Sequence, residues 1–235
     1  GGESDEWFED ALKEAVNKNL KALNLLELLG DNVKEEEVVE GMEAEEEEDD
    51  DDGEEEPEYD EHVWLSLRNA QRLCIRIAEA LCATDGANAA SYRANLDSYT
   101  AKLSKLDVEY AAAVTAAARK TVLFGDRFPF RYLTDDYDLN YYAAFAGCSA
   151  ETEASFQTVV FLSDKVDELG LTAILQIESA DGAIARTVRD NTAAKDQVIL
   201  TMDSMQSVTA ADTAAGADYL TLMEKNLDVL AQALS

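Results

Sequence analysis

Thr121-Val122-Leu123-Phe124 is an unbroken apolar run closed by Gly125-Asp126. A run this short, with β-branched and aromatic residues and a turn signal behind it, reads as a strand buried on both faces. The pattern then repeats. Residues 128–136 read as a short helix started near Pro129, whose fixed φ suits a first turn. Tyr141-Tyr142-Ala143-Ala144-Phe145 is a second strand, ended by Gly147. Residues 150–169 form a helix with Phe156, Val159, Val160, Leu162 and Val166 inward, closed by Gly170. Thr172-Ala173-Ile174-Leu175-Gln176-Ile177 is a third strand and residues 181–190 a helix. Val198-Ile199-Leu200-Thr201-Met202 is a fourth strand, and residues 219–234 close the chain as a helix. Strand and helix alternating four times predict an α/β lobe, a parallel sheet with flanking helices on both faces.

Upstream lies the most regular element. Tyr92, Leu96, Tyr99, Leu103, Leu106, Tyr110, Ala113 and Ala117 alternate spacings of four and three. They predict a helix of about 30 residues, about 45 Å long. A coiled-coil dimer would carry the same spacing, but three tyrosines in the seam fit it poorly. A preceding helix is predicted over 62–83, with Trp64, Leu67, Cys74, Ile77 and Leu81 on one face and Thr84-Asp85-Gly86 as its stop. At the start, Ser4 is a candidate N-cap ahead of Asp5 and Glu6, and Ala22-Leu23-Asn24-Leu25-Leu26 reads as a short strand.

The charge is lopsided. The 235 residues carry a net charge of −31, and residues 35–61 hold 19 of the 50 acids with no Lys or Arg. Removing those 19 takes the net charge from −31 to −12. Such a field repels nucleic-acid phosphates and anionic lipid, which excludes both as partners, and it attracts cations. Residues 34–61 are expected to be a disordered, solvated loop. Cys74 and Cys82 sit about 12 Å apart along one predicted helix, too far for a disulfide, and Cys148 stands alone. There is no C-x-x-C pair and no apolar run of 18 residues.

In parallel sheets, ligands bind outside the carboxyl ends of the strands. Here those ends carry acids: Asp126 after the first strand, Glu151 and Glu153 after the second, Glu178 after the third, Asp203 after the fourth. Singly, each is what a helix cap or first turn would use. Together they form an acidic rim that His62, the only histidine, is placed to approach. One imidazole with two or three carboxylates suits Zn²⁺ or Mn²⁺.

Several motifs then fall in order along the chain. Asp60-Glu61-His62-Val63-Trp64-Leu65-Ser66 resembles the D-x-H-x-W-x-[DS] stretch of the zinc/manganese ABC-transporter substrate-binding proteins, a family of metal-binding lipoproteins and adhesins. Gly1-Gly2-Glu3-Ser4-Asp5-Glu6-Trp7 resembles their G-G-x-S-x-x-W helix start. Gly125-Asp126-Arg127-Phe128 falls on their [HE]-x-x-F segment, Ser149-Ala150-Glu151-Thr152-Glu153-Ala154-Ser155 on their S-P-E-x-E-P-S, and Leu200-Thr201-Met202-Asp203 on the strand that ends in an aspartate ligand. The resemblance implies two α/β lobes joined by a long backbone helix, with metal between them. It carries His62 and Asp203 across as ligands. Where zinc members have histidine and manganese members glutamate, this chain has Gly125, so Asp126, Glu151, Glu178 or water is expected as substitute.

These readings define four segments: 1–33, the remnant of an N-terminal lobe; 34–61, the acidic loop; 62–119, helices including the long one; and 120–235, the C-terminal α/β lobe. The chain is expected to be an N-terminally shortened, monomeric member. It would capture Zn²⁺ or Mn²⁺ as transported ligand outside the cytoplasm and deliver it to an ABC permease, touching the membrane only through a lipid anchor outside this chain. It is expected not to be an enzyme. The alternatives are a metal-dependent hydrolase using Asp126 with Glu151 or Glu178, and an acidic adhesin or interaction module. No nucleophile elbow, phosphate loop or G-x-G-x-x-G stands behind the first.

Overall fold

The computed structural model describes residues 7–17, 19–43, 58–149 and 153–235. Its strands are β1 (Thr121–Phe128), β2 (Asn140–Ala146), β3 (Ala173–Ile177) and β4 (Val198–Met202). Its helices are α1 (Trp7–Lys13), α2 (Leu25–Leu29), α3 (Leu67–Thr84), α4 (Ala89–Ala116), α5 (Arg131–Asp136), α6 (Phe156–Leu169), α7 (Ala183–Asn191), α8 (Ala210–Ala214) and α9 (Tyr219–Ala233). The strands form one parallel sheet in the order β2-β1-β3-β4.

The sheet's apolar alternation sorts the helices onto its two faces. Val122 and Phe124 of β1, with Ala173, Leu175 and Ile177 of β3, point into a core completed by Leu103, Leu106 and Tyr110 of α4 and Met223 and Leu230 of α9. Leu123 and Ile174 point the other way, against Val159, Leu162 and Val166 of α6 and Ala185 and Val188 of α7. Each buried Leu or Phe contributes about 1.5–3 kcal/mol relative to an exposed one, so this two-faced burial dominates the lobe's stability. Tyr110 fixes the long helix to α9 and to the end of α5. Its buried hydroxyl donates to the Met223 carbonyl at 2.7 Å, and its ring stacks on Tyr137 with centroids 5.3 Å apart.

Several elements differ from expectation for local reasons. The strand predicted at residues 22–26 is instead the one-turn helix α2. The Asn24 side chain accepts from the Leu26 and Glu27 amides, and Gly30 at φ +52° ends the turn. This local capping overrides the β-like composition. Leu29 of α2 packs with Val63, Leu73 and Tyr132. The helix predicted from residue 62 begins at Leu67, because Ser66 caps it by accepting from the Asn69 amide; residues 63–65 form a separate 3-10 turn. The helix predicted from residue 150 begins at Phe156, capped by Ser155, and Phe156 is 78% exposed rather than inward. Helix α8, built on a Thr209–Asp212 capping box, was not anticipated.

The flanks of the acidic stretch are tied down where solvated chain was expected. Glu35 pairs antiparallel with Tyr59, and the Glu43 amide donates to Ala144 as an isolated parallel bridge on the edge of β2. Residues 44–57, the candidate cap Ser4 and the candidate ligand Glu151 lie outside the described residues.

Strand β1 runs through Gly125 and Asp126 rather than stopping there, with a register shift against β2 between Phe124 and Arg127. Gly125 is where α7 comes closest: a Cβ there would lie 2.6 Å from the Ala185 Cα. That neighbour is backbone and has no rotamer to yield. Gly125→Ala should therefore lower stability by about 1–3 kcal/mol through overpacking, read as a lower midpoint in urea melts. An unchanged midpoint would mean that α7 shifts freely.

Candidate metal site

His62 lies in the turn between the acidic stretch and α3 and is only 1% exposed. Its surroundings fix the ring. The Asp60 carboxylate, itself 2% exposed, accepts from the His62 amide at 2.8 Å and contacts Nδ1 at 3.1 Å. A carboxylate only accepts, so Nδ1 carries the proton and, in the neutral ring, Nε2 is left as the lone-pair donor. Asp60 is held in turn: its amide donates to the Lys34 carbonyl at 2.9 Å, and its carbonyl accepts the Tyr132 hydroxyl at 2.8 Å. The imidazole lies against Gly147, where a Cβ would come within 2.9 Å of its Cε1.

His62 lines a cavity of about 500 Å³ whose wall also includes Glu61, Arg127, Cys148, Met205 and Gln206. The Gln206 side-chain nitrogen sits 2.6 Å from Nε2. Desolvation in the cavity, followed by the carboxylates of Glu36, Asp60 and Glu61, pushes the Cys148 thiol up to about 12. It is therefore protonated at neutral pH.

The strand-end carboxylates are engaged elsewhere. Asp126 accepts from the Ile177 amide at 3.0 Å and its neighbour Arg127's amide at 2.8 Å, stapling β1 to β3 beyond their one register pair. It lines a separate cavity of about 250 Å³ with Gly125 and the start of α7. Burial raises its pKa against the pull of those two amides. Glu178 accepts from the Ser204 amide at 2.7 Å, the Ser204 hydroxyl at 2.9 Å and the Ser207 hydroxyl at 3.0 Å. Burial would raise its pKa, but these donors outweigh it and leave it below the ordinary value. Asp203 accepts from the Met205 amide at 2.8 Å. Its pKa is raised, by burial first, with the Met205 amide opposing and Glu178 adding to the rise. Among the described residues, no three His, Cys, Asp or Glu side chains converge as a metal site. The structure thus places His62 in the open cavity and Asp203 two residues from its wall, while Asp126 and Glu178 serve the backbone.

This geometry coincides with a clear relationship. The model of the family described as zinc-uptake complex component A, periplasmic, matches residues 1–233. The chain belongs to this zinc-uptake component A family. The zinc-binding lipoprotein AdcA of Streptococcus pneumoniae is 34% identical over 175 residues, which are 74% of this chain and 34% of that protein. The high-affinity zinc uptake system protein ZnuA of Bacillus subtilis is 30% identical over 74% of this chain and 53% of its own length. This chain therefore spans between a third and about half of the curated relatives it matches. Among solved structures, the Zn(II)-bound ZnuA-like domain of S. pneumoniae AdcA superposes with a TM-score of 0.68 at 27% identity, covering 97% of this chain and 75% of that one.

Three residues of this family member escaped the sequence reading: Asp60 as the partner of His62, Gln206 on Nε2, and Cys148 in the cavity wall. Asp60 is signalled by its i, i+2 spacing to His62. Gln206 and Cys148 lie 144 and 86 positions from His62, and only the fold brings them near.

The 203–207 turn depends on Glu178 in its ionised form. Because its folded pKa lies below the ordinary 4.5, its contribution is present above that pH and lost as pH falls through the folded value. Glu178→Gln should destabilise the protein at pH 7 by about 1–2 kcal/mol, and the gap should narrow below about pH 4.5. Urea melts of both proteins from pH 3 to pH 7 check this; a gap independent of pH would remove the role given to the carboxylate.

Proposed function

We propose that this chain captures Zn²⁺ as transported substrate outside the cytoplasm, for delivery to an ABC permease. The observation that carries the reading is His62. It is a buried, ring-fixed imidazole lining a cavity, and neutral imidazole is the commonest metal ligand and one of zinc's preferred donors. Family membership supports the same substrate, since the relatives at 30–34% identity are named for zinc. In this reading Asp203 supplies a carboxylate from the turn beside the cavity. Asp126 and Glu178 are further candidates whose oxygens retain lone pairs beside the bonds they accept, and Glu151 is a candidate from the sequence. Mn²⁺ is the weaker candidate, because a nitrogen donor favours Zn²⁺ over Mn²⁺ in the divalent affinity order. The hydrolase alternative draws no support from the geometry, since Asp126 and Glu178 hold backbone amides rather than facing one another across a cavity.

Calorimetric titration of metal-stripped protein with Zn²⁺ and Mn²⁺ tests the proposal. One tight zinc site is expected, retained when residues 44–57 are deleted. Loss of an outer-shell partner alone weakens metal affinity about 10–100-fold, so His62→Ala should weaken it by more. Protons compete for Nε2, so the affinity should also fall in acid. Weak, multiple binding that vanishes with residues 44–57 and ignores His62→Ala would overturn the reading.

A further inference from the structure

Gln206 occupies the atom that the proposed function needs. We infer that its carboxamide is a displaceable latch on His62: in the metal-free protein it donates to Nε2, and zinc binds only as this bond is exchanged for a metal–nitrogen bond. The inference rests on the assignment of His62 as a zinc ligand and adds how access to that ligand is regulated.

The direction of the bond follows from chemistry. Asp60 requires the proton on Nδ1, so Nε2 accepts, and the Gln206 amide nitrogen 2.6 Å away is a donor.

The turn that carries Gln206 is held at three points. The Trp64 indole donates to the Ser204 carbonyl at 3.0 Å, and Glu178 grips the Ser204 amide at 2.7 Å. Asn226 brackets Asp203 with two 2.8 Å bonds. The base of the latch is therefore fixed, while Gln206 itself is exposed. Its side chain can swing into solvent without disturbing the core. The latch satisfies a buried nitrogen when no metal is present, and it restores that bond when zinc leaves. It weakens binding and favours release, which suits a protein that hands its cargo on.

The single histidine makes the test direct, because every imidazole nitrogen signal belongs to His62. Nitrogen-15 NMR of metal-free protein should show the Nδ1–H tautomer with Nε2 in a hydrogen bond. In Gln206→Leu and Gln206→Ala the Nε2 signal should move downfield toward that of a free imine nitrogen. Zinc Kd should fall by about 2- to 10-fold in both variants, the range set by one lost competing hydrogen bond. An unmoved Nε2 signal overturns the latch. So does a Kd that rises, since that would make Gln206 a ligand rather than a competitor. If the signal moves but neither parent nor variant binds zinc tightly, the transport reading fails and the latch on metal access fails with it. If zinc binds tightly and only the Gln206 variants behave as parent, the latch alone is wrong.

Discussion

A carboxylate and an imidazole, both almost wholly buried and two residues apart, anchor this site. Burying Asp60 is unfavourable unless its oxygens are matched by donors. Its side chain takes the His62 amide and ring Nδ1, while Lys34 and Tyr132 hold its backbone. The same bonds that satisfy the acid orient the imidazole, and they join the end of the acidic stretch to α5 and to the 3-10 turn before α3. Trp64 extends this anchor. Its ring lies 5.4 Å from the imidazole, its indole holds the 203–207 turn, and its carbonyl accepts the Tyr219 hydroxyl of α9 at 2.7 Å. His62 is therefore located by residues of α5, α9 and the 203–207 turn, although α3 and α4 separate it from β1 in the chain.

The carboxyl ends of the strands show how acidic residues become structural. A parallel sheet leaves amides beyond its last register pairs, and an aspartate or glutamate there can accept them. Asp126 bridges β1 to β3 where the strands share a single register pair, and Glu178 closes the turn after β4. Their oxygens accept bonds close to home, and among the described residues the strand-end acids do not converge as a three-residue metal site. Gly125 sharpens the point. A side chain at that position would press on the Ala185 backbone, so α7 would have to shift before the end of β1 could present the histidine or glutamate that the resembled family carries there.

Much of the lobe was legible because its signals are local. Apolar runs of strand length, separated by glycine and helical periodicity, are set by backbone pattern and burial alone. The seven-residue spacing from Tyr92 to Ala117 likewise found the long helix. Misreadings came where a single side chain redirects the backbone: Asn24 turned an apolar pentad into a helix, and Ser66 and Ser155 started their helices later than the hydrophobic pattern did. At the site, His62 was legible as a rare residue in a recognisable stretch. Gln206 was not, because a glutamine in a polar loop carries no signal until the fold brings it 2.6 Å from a histidine 144 positions earlier.

These facts together give the metal-free site its character. The imidazole Nε2 is already bonded, the Cys148 thiol is protonated, and the strand-end carboxylates Asp126 and Glu178 hold backbone amides. The imidazole nitrogen that would meet a cation must first give up its partner. That exchange subtracts from the gross affinity, so tight binding requires a metal whose bond to imidazole nitrogen is strong. Among the divalent ions considered, that condition favours Zn²⁺ over Mn²⁺. On the proposed reading, the Gln206 carboxamide would return to Nε2 once the metal had gone, so that release would not leave a buried imidazole without a partner.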